Sequence, residues 1–284
     1  MNSAQLAALL LLAGSGQSPD PGAAAPKARA DRFLAIDTDD AAGYAIYRDA
    51  DRKEKLELRR EPISRWSNPI AAGGQVGDVF VWTFRGRPEA VATIFSHPHE
   101  GGRRTVCHEL HSLSGAVLVV DRDSPHRWVP QAPGVELKSI PDAPAPAATG
   151  PQRLTQLRAL ARDFSGRSVD LAGGVWELRI LPRPLYRYEG TDPDVIDGAL
   201  FAAVNSAGTD LEIVLLLEGR RRADGPAWMF AGARFSEKDL RLKFQGRDVW
   251  ESVRGAGEAH YGDARQRSRF SIDRIIPEPD ASKP

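Results

Sequence analysis

The stretch SHPHEGGRRTVCHELH, residues 96–111, concentrates residues that bind metals or transfer protons. It holds four of the six histidines of the chain and its only cysteine. Imidazole, thiolate and carboxylate groups are the ligands that zinc prefers in proteins. The candidate metal ligands in this stretch are His97, His99, His108, Glu109 and His111.

The spacing of these residues leaves their role open. HELH differs from the H-E-x-x-H motif of zinc proteases, because its histidines are three residues apart and its neighbours favour a strand. On a strand, His108 shares one face with Val106 and Leu110, whereas Glu109 and His111 share the opposite face. A zinc site, a catalytic general base and a purely structural cluster therefore remain alternatives.

Apolar spacing predicts the elements that carry these residues. Between Leu154 and Phe164, apolar residues recur at helical intervals, and Pro151 precedes them at a position typical of a first helical turn. Short apolar runs separated by Gly, Asp and Pro predict antiparallel strands before and after this helix. One of these strands, over 106–113, carries the HELH motif.

An internal similarity predicts how the elements are organised. The segments LELRREPISRW and ELRILPRPLYRY align at an offset of 122 residues, so that Pro62 matches Pro184, and the same offset pairs Trp128 with Trp250. We interpret this agreement as an internal duplication. The predicted fold is α+β, with two homologous antiparallel β-meander units, each with an N-terminal helix. Cystatin and NTF2-like folds have a similar element order, by analogy only.

Composition shifts along the chain predict five segments. They are a signal peptide and disordered segment (1–27), a first β-rich unit (28–140), an Ala/Pro linker (141–151), a second β-rich unit (152–277) and a disordered tail (278–284). The apolar run from Leu6 to Ala13 has the length of a signal-peptide core and is too short for the roughly 20 residues of a membrane span. We expect export to the periplasm or the cell exterior, with no membrane span in the mature form. Since no basic residue precedes the run, the alternatives are a wrongly assigned start of the chain or a disordered tail.

Several motifs carry a resemblance to other proteins. They are EPISRWSNP, GDVFVW, GRPEAV and HELHSLS, followed by LARDFSGR, WELRILPRPLYRYE and DGALFA. In these motifs the chain resembles an uncharacterised family of predicted secreted bacterial proteins. The resemblance covers most of 56–250 and implies a recurring exported architecture with no known activity.

Charge and residue counts narrow the classes of function. Basic and acidic residues balance at 38 each, so we do not expect nucleic acid as a partner. A single cysteine excludes an intramolecular disulfide. Arg65 and Arg187 stand at equivalent positions beside Trp66 and Tyr188, where they either pair within each unit or line a cleft.

The predicted function is a non-catalytic binding or interaction module of the cell envelope. Its partner would be an envelope protein or a small ligand, and no cofactor is expected. The alternative is a metal-dependent hydrolase that holds zinc with the His/Glu set of the first unit. This alternative requires at least three of the candidate ligands to lie within about 2.0–2.3 Å of one point.

Overall fold

The computed structural model describes six stretches of the chain. They are residues 21–69, 74–122, 127–190, 192–206, 208–253 and 262–279, with side chains from residue 27 onward. The helices in these stretches are α1 (Pro21–Ala42) and α2 (Gly150–Asp163). The strands are β1 (Ala45–Tyr47), β2 (Glu57–Asn68), β3 (Gln75–Phe84), β4 (Arg87–His99), β5 (Arg103–Ser112), β6 (Val119–Asp121), β7 (Lys138–Ser139), β8 (Phe164–Val169), β9 (Val175–Ile180), β10 (Tyr186–Tyr188), β11 (Val195–Val204), β12 (Leu211–Arg220), β13 (Ala227–Arg234), β14 (Asp239–Phe244), β15 (Arg247–Ser252) and β16 (Ser268–Pro277).

The helix α2 forms where the sequence predicts it. Pro151 lies in its first turn, where a missing backbone N–H removes no hydrogen bond. Leu157, Leu160 and Ala161 are buried on one face of the helix, as expected for apolar residues at this spacing. The chain turns extended at Phe164, where β8 begins. The predicted helix is thus confirmed.

The smaller sheet has five antiparallel strands in the order β16-β5-β4-β3-β2. A two-residue turn joins β3 to β4, and both of its residues, Arg85 and Gly86, have positive φ angles of 49° and 83°. Two positive φ angles are typical of the type I′ turn, whose twist matches that of the flanking strands. The strand β16, from the C-terminal part of the chain, adds to the edge of β5.

The larger sheet has nine strands. Eight of them follow the order β15-β14-β8-β9-β11-β12-β13-β7, and β10 pairs with β11. The sheet curls, and this brings Trp250 on β15 over Gly232 on β13, where a Cβ atom would lie 2.6 Å from the indole ring. The short strands β1 and β6 form a separate two-stranded sheet.

Three apolar clusters set the order of the layers. One cluster joins the two sheets, with Val81 and Phe95 from the smaller sheet and Val214 and Leu216 from the larger. A second lies between α2 and the larger sheet, and a third lies between the end of α1 and the smaller sheet. The two sheets therefore pack face to face, and each helix covers the outer face of one sheet.

The predicted α+β fold of two equivalent meander units is wrong. The protein is mostly β, with a curled nine-stranded sheet, and does not consist of two units that each begin with a helix. Two edge strands also pair across the predicted boundary between the units, since β7 extends the larger sheet and β16 extends the smaller one. Local apolar periodicity reports single elements and carries no signal for such long-range edge pairing.

The ends of the chain fall partly outside the described residues. The predicted signal segment, 1–27, overlaps the start of α1 from Pro21 onward, and its first twenty residues lie outside. In the predicted tail, Glu278 accepts a hydrogen bond of 2.6 Å from Arg29, whereas 280–284 lie outside. Neither described helix combines the length and the apolar content that a membrane span requires.

Candidate binding cavity

The strand β5 turns its side chains alternately toward the two faces of the smaller sheet. His108 and Leu110 lie on the face toward α1, where Leu110 belongs to the cluster under that helix. Cys107, Glu109 and His111 lie on the face toward the larger sheet, Cys107 within the cluster that joins the sheets. This alternation confirms the predicted separation of His108 from Glu109 and His111.

Two of the remaining predicted ligands lie at the end of β4. His97 and Glu109 border the same cavity between the sheets. His99 lies nearby in sequence but contacts Thr105, whose hydroxyl is 3.2 Å from the Nδ1 atom of the histidine. Of the predicted set, only His97 and Glu109 therefore share one cavity.

His111 borders a different cavity, of about 370 Å³. The side chain is buried, and its Nδ1 donates a hydrogen bond of 2.7 Å to the carbonyl oxygen of Ser112. Burial lowers the pKa of His111 to about 3. The imidazole is therefore neutral at physiological pH, with one nitrogen already committed to the backbone.

The five predicted metal ligands do not converge on one point. Within the described residues, the group of three metal-binding side chains whose ligand atoms lie within 4.8 Å of one another is Asp40, His108 and Asp273. It shares only His108 with the predicted set. Sequence reasoning missed the two carboxylates because Asp40 lies in α1 and Asp273 in β16, far from HELH along the chain.

The buried His108 is held from both of its ring nitrogens. Arg122 donates to Nδ1 at 2.8 Å, so this nitrogen is the acceptor, and the hydroxyl of Tyr44 lies 2.8 Å from it as well. The other nitrogen, Nε2, carries the proton and faces Asp40 at 3.4 Å. Burial lowers the pKa of His108. The histidine is thus a neutral link between the strand β5 and the helix α1.

Two arginines balance the carboxylates beside His108. Arg274 donates to Asp40 at 2.8 Å and to Asp273 at 2.6 Å, and Arg122 donates to Asp273 at 3.2 Å. The two negative and two positive charges cancel, so this group does not require a cation for charge balance. These contacts tie α1 to β5 and β16.

The two predicted cleft arginines both pair with an aspartate. Arg65 donates from Nε to Asp78 at 2.8 Å. Arg187 makes a two-pronged contact with Asp197, at 3.1 Å and 2.7 Å. Arg65 also borders a surface cavity of about 390 Å³, so for this residue both expected roles apply. The predicted duplication, which places these arginines at equivalent positions, stays a prediction.

A carboxyl pair lies next to Arg65. Asp37 of α1 and Asp78 of β3 are both buried. Burial, followed by the negative charge of Asp78, raises the pKa of Asp37 well above its usual value. Burial also raises the pKa of Asp78, against the opposing effect of Arg65. The protonated form of Asp37 is therefore favoured, and it hydrogen-bonds with Asp78.

The cavity that His97 and Glu109 border is the best candidate site of this protein. We call it the inter-sheet cavity; its volume is about 560 Å³. Its lining residues come from both sheets and from the β8–β9 turn: Trp66, Asn68, Gln75, Phe95, His97, Cys107, Glu109, Asp170, Leu171, Ala172, Asn205, Asp210, Leu211, Glu212, Phe235, Ser236, Glu237, Lys238 and Phe270. The geometry therefore offers a partly enclosed space between two packed sheets.

One wall of the inter-sheet cavity is aromatic. Trp66 and Phe95 of the smaller sheet pack with ring centroids 5.5 Å apart, and Phe270 of β16 lies 6.5 Å from Phe95. Phe235, at the end of β13, contributes from the larger sheet. Aromatic side chains give a binding site large contact area at a small cost in conformational entropy.

The opposite wall is polar and centres on Glu212 at the start of β12. Its Oε1 accepts hydrogen bonds from Asn205 at 2.6 Å and from Lys238 at 2.7 Å. The side chain is buried, and among the described residues its Oε2 has no hydrogen-bond partner. Beside it, Asp210 accepts a hydrogen bond of 3.2 Å from Asn68. A buried carboxylate oxygen without a donor is rare in folded proteins, so this wall is a candidate binding surface.

The sequence does contain a signal for this wall. In β12, LEIVLLLEGR, Glu212 and Glu218 are the acidic residues within an apolar run that ends at Gly219 and Arg220. Acidic residues are seldom fully buried unless they are paired, so both are candidates for a functional or a structural contact. The apolar pattern alone does not indicate that Glu212 meets Glu109 and His97 of the other sheet.

The thiol that borders the inter-sheet cavity is not an activated nucleophile. Cys107 borders the cavity, but burial raises the pKa of this thiol to about 12. The thiolate, which is the reactive form, is therefore negligible at neutral pH. The cavity is suited to holding a ligand by apolar contact and a few polar groups.

Comparisons with known proteins add no relative. The chain matches no protein-family model and no curated protein, and no solved structure matches its fold.

Proposed function

We propose that this protein is an exported, non-catalytic binding module of the cell envelope that holds a small ligand in the inter-sheet cavity. The observation that carries the proposal is the cavity itself. Its volume of about 560 Å³ falls within the roughly 300–1,000 Å³ of typical ligand sites, which combine apolar walls with a few polar groups. The aromatic wall and the buried Glu212 match that description.

Other features support the remaining parts of the proposal. The apolar run from Leu6 to Ala13 supports export. The protonated state of Cys107 supports binding without covalent chemistry. The balanced charge of the chain supports a small ligand or a protein, and not a polyanion, as the partner.

A fluorescent probe tests whether the inter-sheet cavity binds ligands. N-phenyl-1-naphthylamine, a neutral dye that fluoresces in apolar surroundings, is titrated into the wild-type protein. We expect saturable binding with one dye per chain. Ala172→Trp places a large side chain at an exposed lining position of the cavity and should abolish this binding.

A matched variant controls for the added tryptophan. Ala223 is exposed in the turn after β12 and does not border the inter-sheet cavity, so Ala223→Trp should bind the dye like the wild type. The proposal is refuted if the wild type shows no saturable binding, or if both variants bind the dye equally well while remaining folded.

A further inference from the structure

The inter-sheet cavity as a whole carries an excess of negative charge. Its lining holds the carboxylates of Glu109, Asp170, Asp210, Glu212 and Glu237. The cationic side chain of the lining is Lys238, and it lies between Glu212 and the ring of Trp176. Such a cavity repels anionic ligands and attracts cationic ones.

Glu212 pairs with Lys238 through one oxygen, and its other oxygen lacks a hydrogen-bond donor. Its side chain is 1% exposed. The hydrogen bonds from Asn205 and Lys238 both reach Oε1, which leaves Oε2 without a donor among the described residues. Leaving a buried polar atom unsatisfied costs about 1–3 kcal/mol, and more for a charged group. A ligand that donates a hydrogen bond to this carboxylate recovers that energy.

Asp210 adds a second negative group at the same place. Burial raises its pKa, and the charge of Glu212 acts in the same direction. Two carboxyl groups that repel each other in a half-buried site favour a bound cation, which lowers the repulsion. Lys238 alone offsets one of the two charges.

The aromatic wall selects for the rest of the ligand. Trp66, Phe95 and Phe235 present apolar and π surfaces to the cavity. Aromatic faces attract ammonium groups and also pack against flat apolar groups. A ligand that fits both walls has an ammonium group at one end and an apolar or aromatic group at the other.

We infer that the ligand of the inter-sheet cavity is an organic amine. Glu212 and Asp210 bind its ammonium group, and the aromatic wall binds its apolar group. This inference rests on the proposed binding function. Glu212 acts as the recognition residue, and Lys238 competes with the ligand for the same carboxylate.

Three indoles that differ in one group test the inference. Tryptamine carries an ammonium group, tryptophol a neutral hydroxyl and indole-3-acetate a carboxylate. Binding is measured by displacement of N-phenyl-1-naphthylamine and by calorimetry. We expect tryptamine to bind about tenfold more tightly than tryptophol, because hydrogen bonds to charged groups are roughly twice as strong as neutral ones. Indole-3-acetate should bind most weakly.

Two variants should change the preference for tryptamine over tryptophol in opposite directions. Glu212→Gln should remove the preference for tryptamine and leave the affinity for tryptophol nearly unchanged. Lys238→Met removes the competing cation and should increase the preference for tryptamine. Glu61→Gln, at an exposed position of β2, is the matched control and should behave like the wild type. Circular dichroism verifies that each variant is folded.

The outcomes separate the inference from the proposed function. Suppose that the dye binds in the inter-sheet cavity. If tryptophol then displaces it at the same concentration as tryptamine, or if none of the three indoles displaces it, the amine inference is wrong and the binding function stands. If Lys238→Met weakens the binding of tryptamine, the role given to Glu212 is wrong. If the dye itself fails to bind the wild type, the binding function fails.

Discussion

Arg87 of the smaller sheet donates a buried hydrogen bond of 2.8 Å to Glu218 of the larger sheet. The same carboxylate accepts from Tyr188 at 2.5 Å and from Arg220 at 2.9 Å. Arg87 in turn donates to Glu89 at 3.0 Å. This network joins the two sheets on whose separation the inter-sheet cavity depends.

Loss of this network should destabilise the protein strongly. Glu218→Ala leaves the buried guanidinium of Arg87 without its partner across the sheets, and breaking a buried ion pair in this way costs about 3–5 kcal/mol. We expect a decrease of that size in the free energy of unfolding, measured by urea denaturation at pH 7. Glu61→Ala removes an exposed ion pair with Arg59 and should cost less than about 1 kcal/mol. Equal effects of the two variants would mean that the network contributes no more than a surface pair.

A glycine keeps the aromatic wall in place. The backbone of Gly77 lies so close to its neighbours that an added Cβ would be 2.5 Å from Phe95 Cβ and 2.8 Å from the ring of Trp66. We expect Gly77→Ala to lower the free energy of unfolding by about 1–3 kcal/mol, since both neighbours are buried and must shift. At Gly115 an added Cβ meets no atom within 4 Å, so Gly115→Ala is the control and should unfold within about 0.5 kcal/mol of the wild type. A Gly77→Ala variant as stable as this control would show that the aromatic pair can move aside freely.

Local features of the fold were predictable from the sequence, whereas the site was not. Helix α2 and the two faces of β5 follow from residue spacing over one element, where the periods of helix and strand differ. The partners of His108 do not follow in this way. Asp40 and Asp273 reach it only after α1 packs on the smaller sheet and β16 adds to its edge.

The inter-sheet cavity illustrates the same limit. Glu109 and Glu212 come from different sheets, and no local pattern indicates which faces of two sheets will meet. The two acidic residues within the apolar run of β12 indicate buried carboxylates with a functional or structural contact. They do not indicate how the two sheets align with each other. That alignment depends on long-range strand pairing, which local patterns do not reveal and which the predicted fold therefore missed.

The buried histidines predict how stability changes with acidity. Burial lowers the pKa of His111 to about 3 and also lowers that of His108, whereas an unfolded histidine titrates near 6.5. Below about pH 6.5 the unfolded chain binds protons that the folded chain does not, so stability present at pH 7 should be lost as the pH falls toward 4. Urea denaturation at several pH values measures this slope.

A single substitution isolates the part of the slope due to His111. His111→Asn retains a side-chain N–H for the carbonyl of Ser112 but has no titrating group, so the loss of stability between pH 7 and pH 4 should be smaller than in the wild type. Its stability at pH 7 should fall by about 1–2 kcal/mol because packing is lost. Gln131→Asn, at an exposed position without a titrating group, is the control and should keep the wild-type slope. An unchanged slope in His111→Asn would mean that this imidazole is protonated in the folded state.

The carboxyl pair beside Arg65 predicts the opposite dependence at higher pH. Burial and the negative charge of Asp78 raise the pKa of Asp37, so the folded chain retains a proton that the unfolded chain releases near pH 4. The stability that this pair contributes is complete at low pH and declines as the pH rises through the pKa of folded Asp37. Asp37→Asn replaces the protonated acid with an amide that still donates to Asp78 and has no proton to lose. Relative to the wild type, its free energy of unfolding should therefore be higher at pH 8 than at pH 4. An equal difference from the wild type at pH 4 and pH 8 would mean that folding does not raise the pKa of Asp37.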